Sequence, residues 1–280
     1  MTVITGALEQ GMIYALVAFA LYLSFRVLNI ADMTTDGSFT LGCAVSAALT
    51  VAGHPFLALG AAMAAGAAAG FVTAALQTRF RVPSILAGII TNTGLYSVNL
   101  MVMGFSSNIN ILRSPTLFTL LSPGFKLLPI MVVTLAVGAA LTAFLGTRLG
   151  LSIRATGDNP DMVRASSINT GFTVTVGLCV SNAMTALSGA MLAQYQKAAD
   201  INLGSGMVVI GLASLILGQT LLPRGKLWLQ VLGALAGSVL YRFLMALALQ
   251  MDVPSECLKL ISAVIVAGAI AVPAMKQKGA

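Results

Sequence analysis

The chain has 280 residues, of which 58% are hydrophobic and 8% charged, with a formal net charge of +7 and a mean hydropathy of +0.96. A soluble domain carries roughly 25% charged residues, so these values exclude a water-soluble globule and point to an all-α, polytopic membrane protein. In such a chain the positive balance marks membrane topology rather than nucleic-acid binding, because no basic stripe carries interleaved aromatics.

About nine apolar segments are predicted, at 4–25, 36–52, 55–78, 83–104, 126–147, 171–195, 203–221, 226–248 and 256–274, together one transmembrane domain over 1–280. Each is near the length of about 20 residues that a spanning helix needs. The first lacks the basic start and small-residue cleavage site of a signal peptide and reads as a retained span. After it comes 26–37, RVLNIADMTTDG. Asn29, Asp32, Asp36 and Gly37 disfavour an unbroken helix there. A broken helix at membrane depth is tolerated only against protein or a watery cavity, so this segment is either a loop or a helix interrupted inside the membrane.

The third segment carries Gly66 and Gly70 at GxxxG spacing, and the eighth repeats the pattern at Gly233 and Gly237. Small residues let helix backbones approach closely in lipid, so both pairs predict tight packing. In the fourth segment Asn92, Tyr96 and Asn99 fall on one helical stripe. In the sixth, Asn182 and Thr185 share a face. These five residues are candidates for a neutral, hydrogen-bonding lining of a solute pathway. Interhelical hydrogen bonds, worth about 1 kcal/mol each or less, are the alternative reading. The central spans hold no Lys, Asp or Glu, and only Asp32 and Asp36 could serve ion-coupled transport.

The most polar long stretch is RATGDNPDMVRASSINT, 154–170. Asn159 suits a helix cap, Pro160 its first position, and Asp161 its positive end. A helix of about two turns is predicted over 158–168, and one so short needs a partner or a span beneath it. With this loop inside, ten of the fifteen Lys and Arg residues fall on the cytoplasmic side, including Arg26, Arg79, Arg81 and Arg224. The N-terminus is then outside and the C-terminus inside. Arg113, Lys126, Lys197, Arg242 and Lys259 fall on or toward the other side.

No enzyme is visible. G-x-S-x-G and H-E-x-x-H are absent, and LLPRGKL lacks the glycine placement and Ser/Thr of a phosphate loop. One histidine excludes a His-rich metal site, and Cys43, Cys179 and Cys257 form no C-x-x-C. They read as small hydrophobes.

The block formed by Arg154, Ala155, Gly157, Asn159, Ala165, Ile168 and Asn169 resembles the cytoplasmic coupling loop of bacterial ABC importer permeases of the branched-chain amino acid and ribose permease family. Ser167 stands where many members have glycine. The stretch LNIADMTTDGSFTLGCAVSA, 28–47, is similar to another family segment. Its wording, with TNTGLYSVNL at 91–100, resembles a tryptophan/tyrosine-type branch. The resemblance implies a multi-pass subunit of the bacterial inner membrane, surrounded by lipid and paired with a second permease copy. It implies ABC ATPase subunits on the cytoplasmic side, which bind ATP and Mg, and an extracytoplasmic solute-binding protein. No cofactor of the chain's own is implied. Arg154, Gly157, Asp158, Asn159, Pro160, Asp161, Met162 and Arg164 would couple to the ATPase. The solute would be small and polar, an amino acid before a sugar or nucleoside. A secondary transporter or channel acting alone is the competing expectation, dependent on Asp32 or Asp36.

Overall fold

The computed structural model describes residues 2–121, 126–222, 225–250 and Val264. The ninth expected segment, the C-terminal side, Cys257 and Lys259 lie outside these residues.

Helix α1 (Thr2–Leu21) runs without interruption into a π-helical stretch, Tyr22–Val27. The backbone then leaves helical geometry until α2 (Thr35–Val51). Helices α3 (Pro55–Thr78) and α4 (Ser84–Val102) follow. A short strand β1 (Asn108–Asn110) and helix α5 (Leu117–Leu121) lead to α6 (Leu127–Gly146). Next come α7 (Arg148–Asp158), α8 (Pro160–Ala165) and the long α9 (Thr170–Gln196). Strand β2 (Ala198–Asp200), α10 (Met207–Leu221) and α11 (Leu227–Gln250) complete the described chain.

Among the described residues, six helical stretches are long and apolar enough to cross a membrane: Ile4–Val27, Pro55–Thr78, Ser84–Val102, Leu127–Gly146, Thr170–Gln196 and Leu227–Gln250. Helices α2 and α10, at 17 and 15 residues, fall short of a full crossing by a straight helix. Both start inside the protein, where polar side chains receive their first turns.

Helix α9 is the axis of the bundle. It packs on α3, α2 and α1, and its residues 184–194 are buried on every face. A helix enclosed on all sides has no polar stripe to display. Gly66 and Gly70 make this packing possible: a Cβ on either would strike the α9 carbonyls of Asn182 or Leu178. Gly237 sits likewise against Ser214 and Gly218 of α10. Both predicted close contacts are thus present.

Two expectations need correction. The fold is not purely helical, because β1 and β2 pair antiparallel, Asn108 opposite Asp200. Lys197 adopts a left-handed conformation (φ 57°) that ends α9 and turns the chain into β2. Residues 154–157, read as the start of the loop, belong instead to α7 (Arg148–Asp158). Thr147 caps it by accepting from the Gly150 amide (3.2 Å), and Gly150, Ile153 and Thr156 form its buried stripe. Within α11, Arg242 holds its guanidinium 3.8 Å from the centre of the Tyr14 ring, a cation–π contact that joins α11 to α1.

Candidate functional site

The interrupted segment is built around Asp32, which has no solvent exposure. One carboxyl oxygen accepts from the Thr34 amide (2.9 Å), an Asx turn that shapes the break. The other accepts from Asn182 Nδ2 (2.7 Å). Ser38 Oγ donates to Asn182 Oδ1 (2.6 Å), and the hydroxyls of Thr34 and Thr73 lie 2.7 Å apart. Asn29, at φ 55°, supplies the left-handed residue of the break. Asn29 and Asp32 therefore belong to the interruption. Asp36 and Gly37 belong to the first turn of α2 instead.

Asp36 serves a second junction. Its carboxylate oxygens accept from the amides of Gly206 (3.0 Å) and Val208 (2.9 Å). It thereby satisfies free N–H groups at the start of α10 and places negative charge at the positive helix end. Thr40 Oγ1 accepts from the Gly204 amide at the same place (3.1 Å).

Beside this junction lies a cavity of about 310 Å³. Asn92, Thr93, Tyr96 and Asn99 of α4 line one wall; Asp36 and Thr40 of α2, with Asn202 and Ser205, line the other. Asn99 is buried and donates from Nδ2 to the Gly37 carbonyl (3.3 Å). Its Oδ1 is buried with no hydrogen-bond partner among the described residues. Such an orphaned acceptor is uncommon in a folded protein. The α4 stripe read from sequence is thus brought together at one cavity. Asn182 and Thr185 are not part of it. Asn182 is committed to Asp32 and Ser38, and Thr185 Oγ1 bonds back to the Ser181 carbonyl of its own helix (3.2 Å). Sequence reasoning missed Thr40, Thr93, Asn202 and Ser205. Thr93 sits one position from the Asn92 stripe, whereas Asn202 and Ser205 reach the cavity only through the β2–α10 connection.

At the other end of the bundle, Asn159 caps α8 as its sequence foretells. Its Oδ1 accepts from the amides of Asp161 (3.1 Å) and Met162 (3.0 Å), and Pro160 opens the helix. Arg164 pairs with Asp161 (3.4 Å) and donates from Nε to Thr170 Oγ1 (3.1 Å). Met162 projects into solvent at 64% exposure, while Val163 is buried and anchors the helix. The helix has six residues, shorter than expected. Arg154, Gly157 and Asp158 lie in α7 rather than in α8. Thr156 of α7 and Thr173 of α9 are hydroxyl to hydroxyl at 2.9 Å. Asn169 caps α9 by accepting from the Phe172 amide (3.1 Å); its place before an apolar run is a cap signal.

Gly157 makes the decisive contact. A Cβ there would overlap the carbonyl of Val27, the last residue of the π-helical stretch. The α7–α8 unit thus bears directly on the backbone that leads into the interruption. A cavity of about 780 Å³ lies between the ends of α3, α7, α8 and α9, with Ile30 of the interruption in its wall.

The sequence profile of the branched-chain amino acid transport system / permease component family matches residues 3–271. The chain belongs to this family. It is similar to a tyrosine transport system permease protein of Clostridioides difficile (strain R20291), at 34% identity over 95% of this chain and 90% of that one. It is also similar to a ribose import permease protein of Escherichia coli (strain K12), at 26% identity over 96% and 85% of the two chains. Among solved structures, a chain of PsaBC from Streptococcus pneumoniae in complex with Fab shares the fold, with a TM-score of 0.58 and 15% identity over 96% of this chain and 91% of that one. The protein is a multi-pass membrane permease component of an ABC-type importer.

Proposed function

We propose that this permease imports a small polar amino acid, aromatic before aliphatic, through a path that includes the α4 cavity. The observation that carries this reading is the convergence of Asn92, Thr93, Tyr96 and Asn99 on one cavity that also holds the Asp36 carboxylate, with the unpaired Asn99 Oδ1 buried just behind its wall. An acceptor of that kind suits an ammonium or hydroxyl donor on the solute. The tyrosine transport relative supports the substrate class. Tyr96, 52% exposed, offers a ring face at the cavity mouth. The cavity opens beside the apolar face of α4 that carries exposed Ile85, Ile89 and Ile90, and a second copy of the chain placed there closes the path.

In this reading the solute-binding protein docks outside, and ATPase subunits grip α8 in the cytosol of a bacterium, beneath its inner membrane. The full chain makes nine membrane passages, counting short and interrupted ones, with its N-terminus outside and C-terminus inside. Arg154, Gly157, Asp158, Asn159, Pro160, Asp161, Met162 and Arg164 form the coupling unit. ATPase closure pushes α8, α7 relays the push through Gly157, and the interruption beside Asp32 yields. Asp32 and Asp36 each accept from protein amides, and such committed carboxylates favour an external energy source over proton coupling.

The test is uptake of radiolabelled tyrosine and ribose by vesicles holding the permease, its ATPase and its binding protein. Tyrosine uptake is expected to exceed ribose uptake and to fall at least tenfold in Asn99→Leu and Tyr96→Ala. Tyrosine uptake equal to wild type in both variants, with the complex intact, defeats the pathway assignment.

A further inference from the structure

Between the π-helical stretch, the C-terminal half of α7 and the start of α11, a polar cavity of about 230 Å³ is lined by Tyr22, Arg26, Arg154, Asp158 and Gln230. Arg26 comes from the π-helical stretch, Arg154 and Asp158 from α7, and Gln230 from the first turn of α11. The Tyr22 hydroxyl donates to Gln230 Oε1 (2.9 Å), tying two of these elements together. Among the described residues neither guanidinium is in an ion pair, although Asp158 shares the cavity. Two arginines against one carboxylate leave a net positive site, and guanidinium is the group best shaped for a phosphate.

A second cavity, of about 620 Å³, adjoins it along the membrane. It is an apolar groove between α6 and α11, walled by Phe19, Gly138, Thr142, Ala143, Trp228 and Val231. Phe19 lies one turn before Tyr22, and Val231 one turn after Leu227, which also lines the cationic cavity. The groove therefore starts at the charged site, beside Trp228, and runs toward the middle of the membrane. Indole rings favour that boundary level. Helix α6 packs on α1 and α11, whereas α4 packs on α2 and α3, so the groove and the solute cavity belong to different helix pairs.

We infer that this bipartite surface is a binding site for one anionic phospholipid, its phosphate on Arg26 and Arg154 and an acyl chain in the α6–α11 groove. Charge complementarity at one end and a groove of hydrocarbon character at the other select an amphiphile over either a soluble anion or a bare transmembrane helix. The headgroup bridges the π-helical stretch, α7 and α11. The occupant would stiffen the joint at which Gly157 meets Val27, one turn from Arg154.

The full chain, purified in detergent, is titrated with phosphatidylglycerol, with phosphatidylcholine of the same acyl chains, and with inorganic phosphate, and bound adducts are counted by native mass spectrometry. One phosphatidylglycerol is expected to bind at least tenfold more tightly than phosphatidylcholine, an interfacial arginine contributing several-fold each. That preference should vanish in the double variant Arg26→Gln/Arg154→Gln. Filling the groove with Ala143→Trp should weaken both lipids while the thermal midpoint stays within a few degrees of wild type. Equal binding of the two lipids, or a preference that survives loss of both arginines, overturns the site. Inorganic phosphate displacing phosphatidylglycerol at equal concentration, with Ala143→Trp silent, assigns a free anion and overturns the lipid. Cysteines placed at Ala139 and Ala143 that cross-link two copies of the chain assign the groove to a second copy and overturn it as well.

Discussion

Two asparagines of similar sequence setting do different work. Asn182 holds the Asp32 carboxyl and accepts from Ser38, all inside the protein. Asn99 keeps an unpaired oxygen at a cavity. Asn182→Leu should therefore destabilise the fold by about 2–3 kcal/mol, since it strands a buried hydrogen-bonded carboxyl; the thermal midpoint of the purified chain reads this directly. Asn92→Ala, at the cavity wall, should leave that midpoint near wild type and lower uptake. Spacing made Asn92, Tyr96 and Asn99 legible because α4 has one face on α2 and another left open. The same spacing on α9 lies where the helix is largely enclosed, so Asn182 answers to Asp32 and Ser38 and Thr185 to its own helix. Which of the two applies depends on packing that no local pattern encodes.

At the scale of elements, the proposed coupling unit spans a helix pair, α7 and α8, rather than a single helix. Asn-Pro-Asp announced α8 through its cap chemistry. Helix α7 was obscured by Gly150 and Gly157, which weaken helical propensity but here allow close approach. Gly157→Val should uncouple transport, because its side chain would meet the Val27 carbonyl. ATPase turnover stimulated by the solute-loaded binding protein should drop severalfold while the subunits still co-purify. Asn159→Ala removes the cap of α8 and costs about 1 kcal/mol locally, so a milder loss of stimulation is expected in the same assay. The β1–β2 ribbon was out of reach because strands of three residues carry no periodicity. It exists through the turn at Lys197 and two flanking backbone bonds, Ile111 to Lys197 (2.9 Å) and Ile201 to Ser107 (3.0 Å). Asp36→Ala should loosen the start of α10, which depends on that carboxylate. Faster hydrogen exchange at Gly206 and Val208 than in wild type is the expected sign.

Across the whole molecule, composition alone established a lipid-embedded helical bundle. The arrangement of its centre came from elsewhere: two part-length helices, α2 and α10, meet there through Asp36, and α9 threads between their neighbours. The central claim is that force from a partner enters at α8, passes through α7 at Gly157, and moves the interruption beside Asp32. It is tested most directly by reconstituting the permease in liposomes with its binding protein, with and without the ATPase and internal ATP, and measuring solute uptake. The account predicts accumulation only when ATPase and ATP are both present, and none when Met162→Asp disrupts the exposed face of α8. Accumulation by the permease and binding protein without ATPase, or full ATP-driven uptake by the Met162→Asp variant, would contradict it.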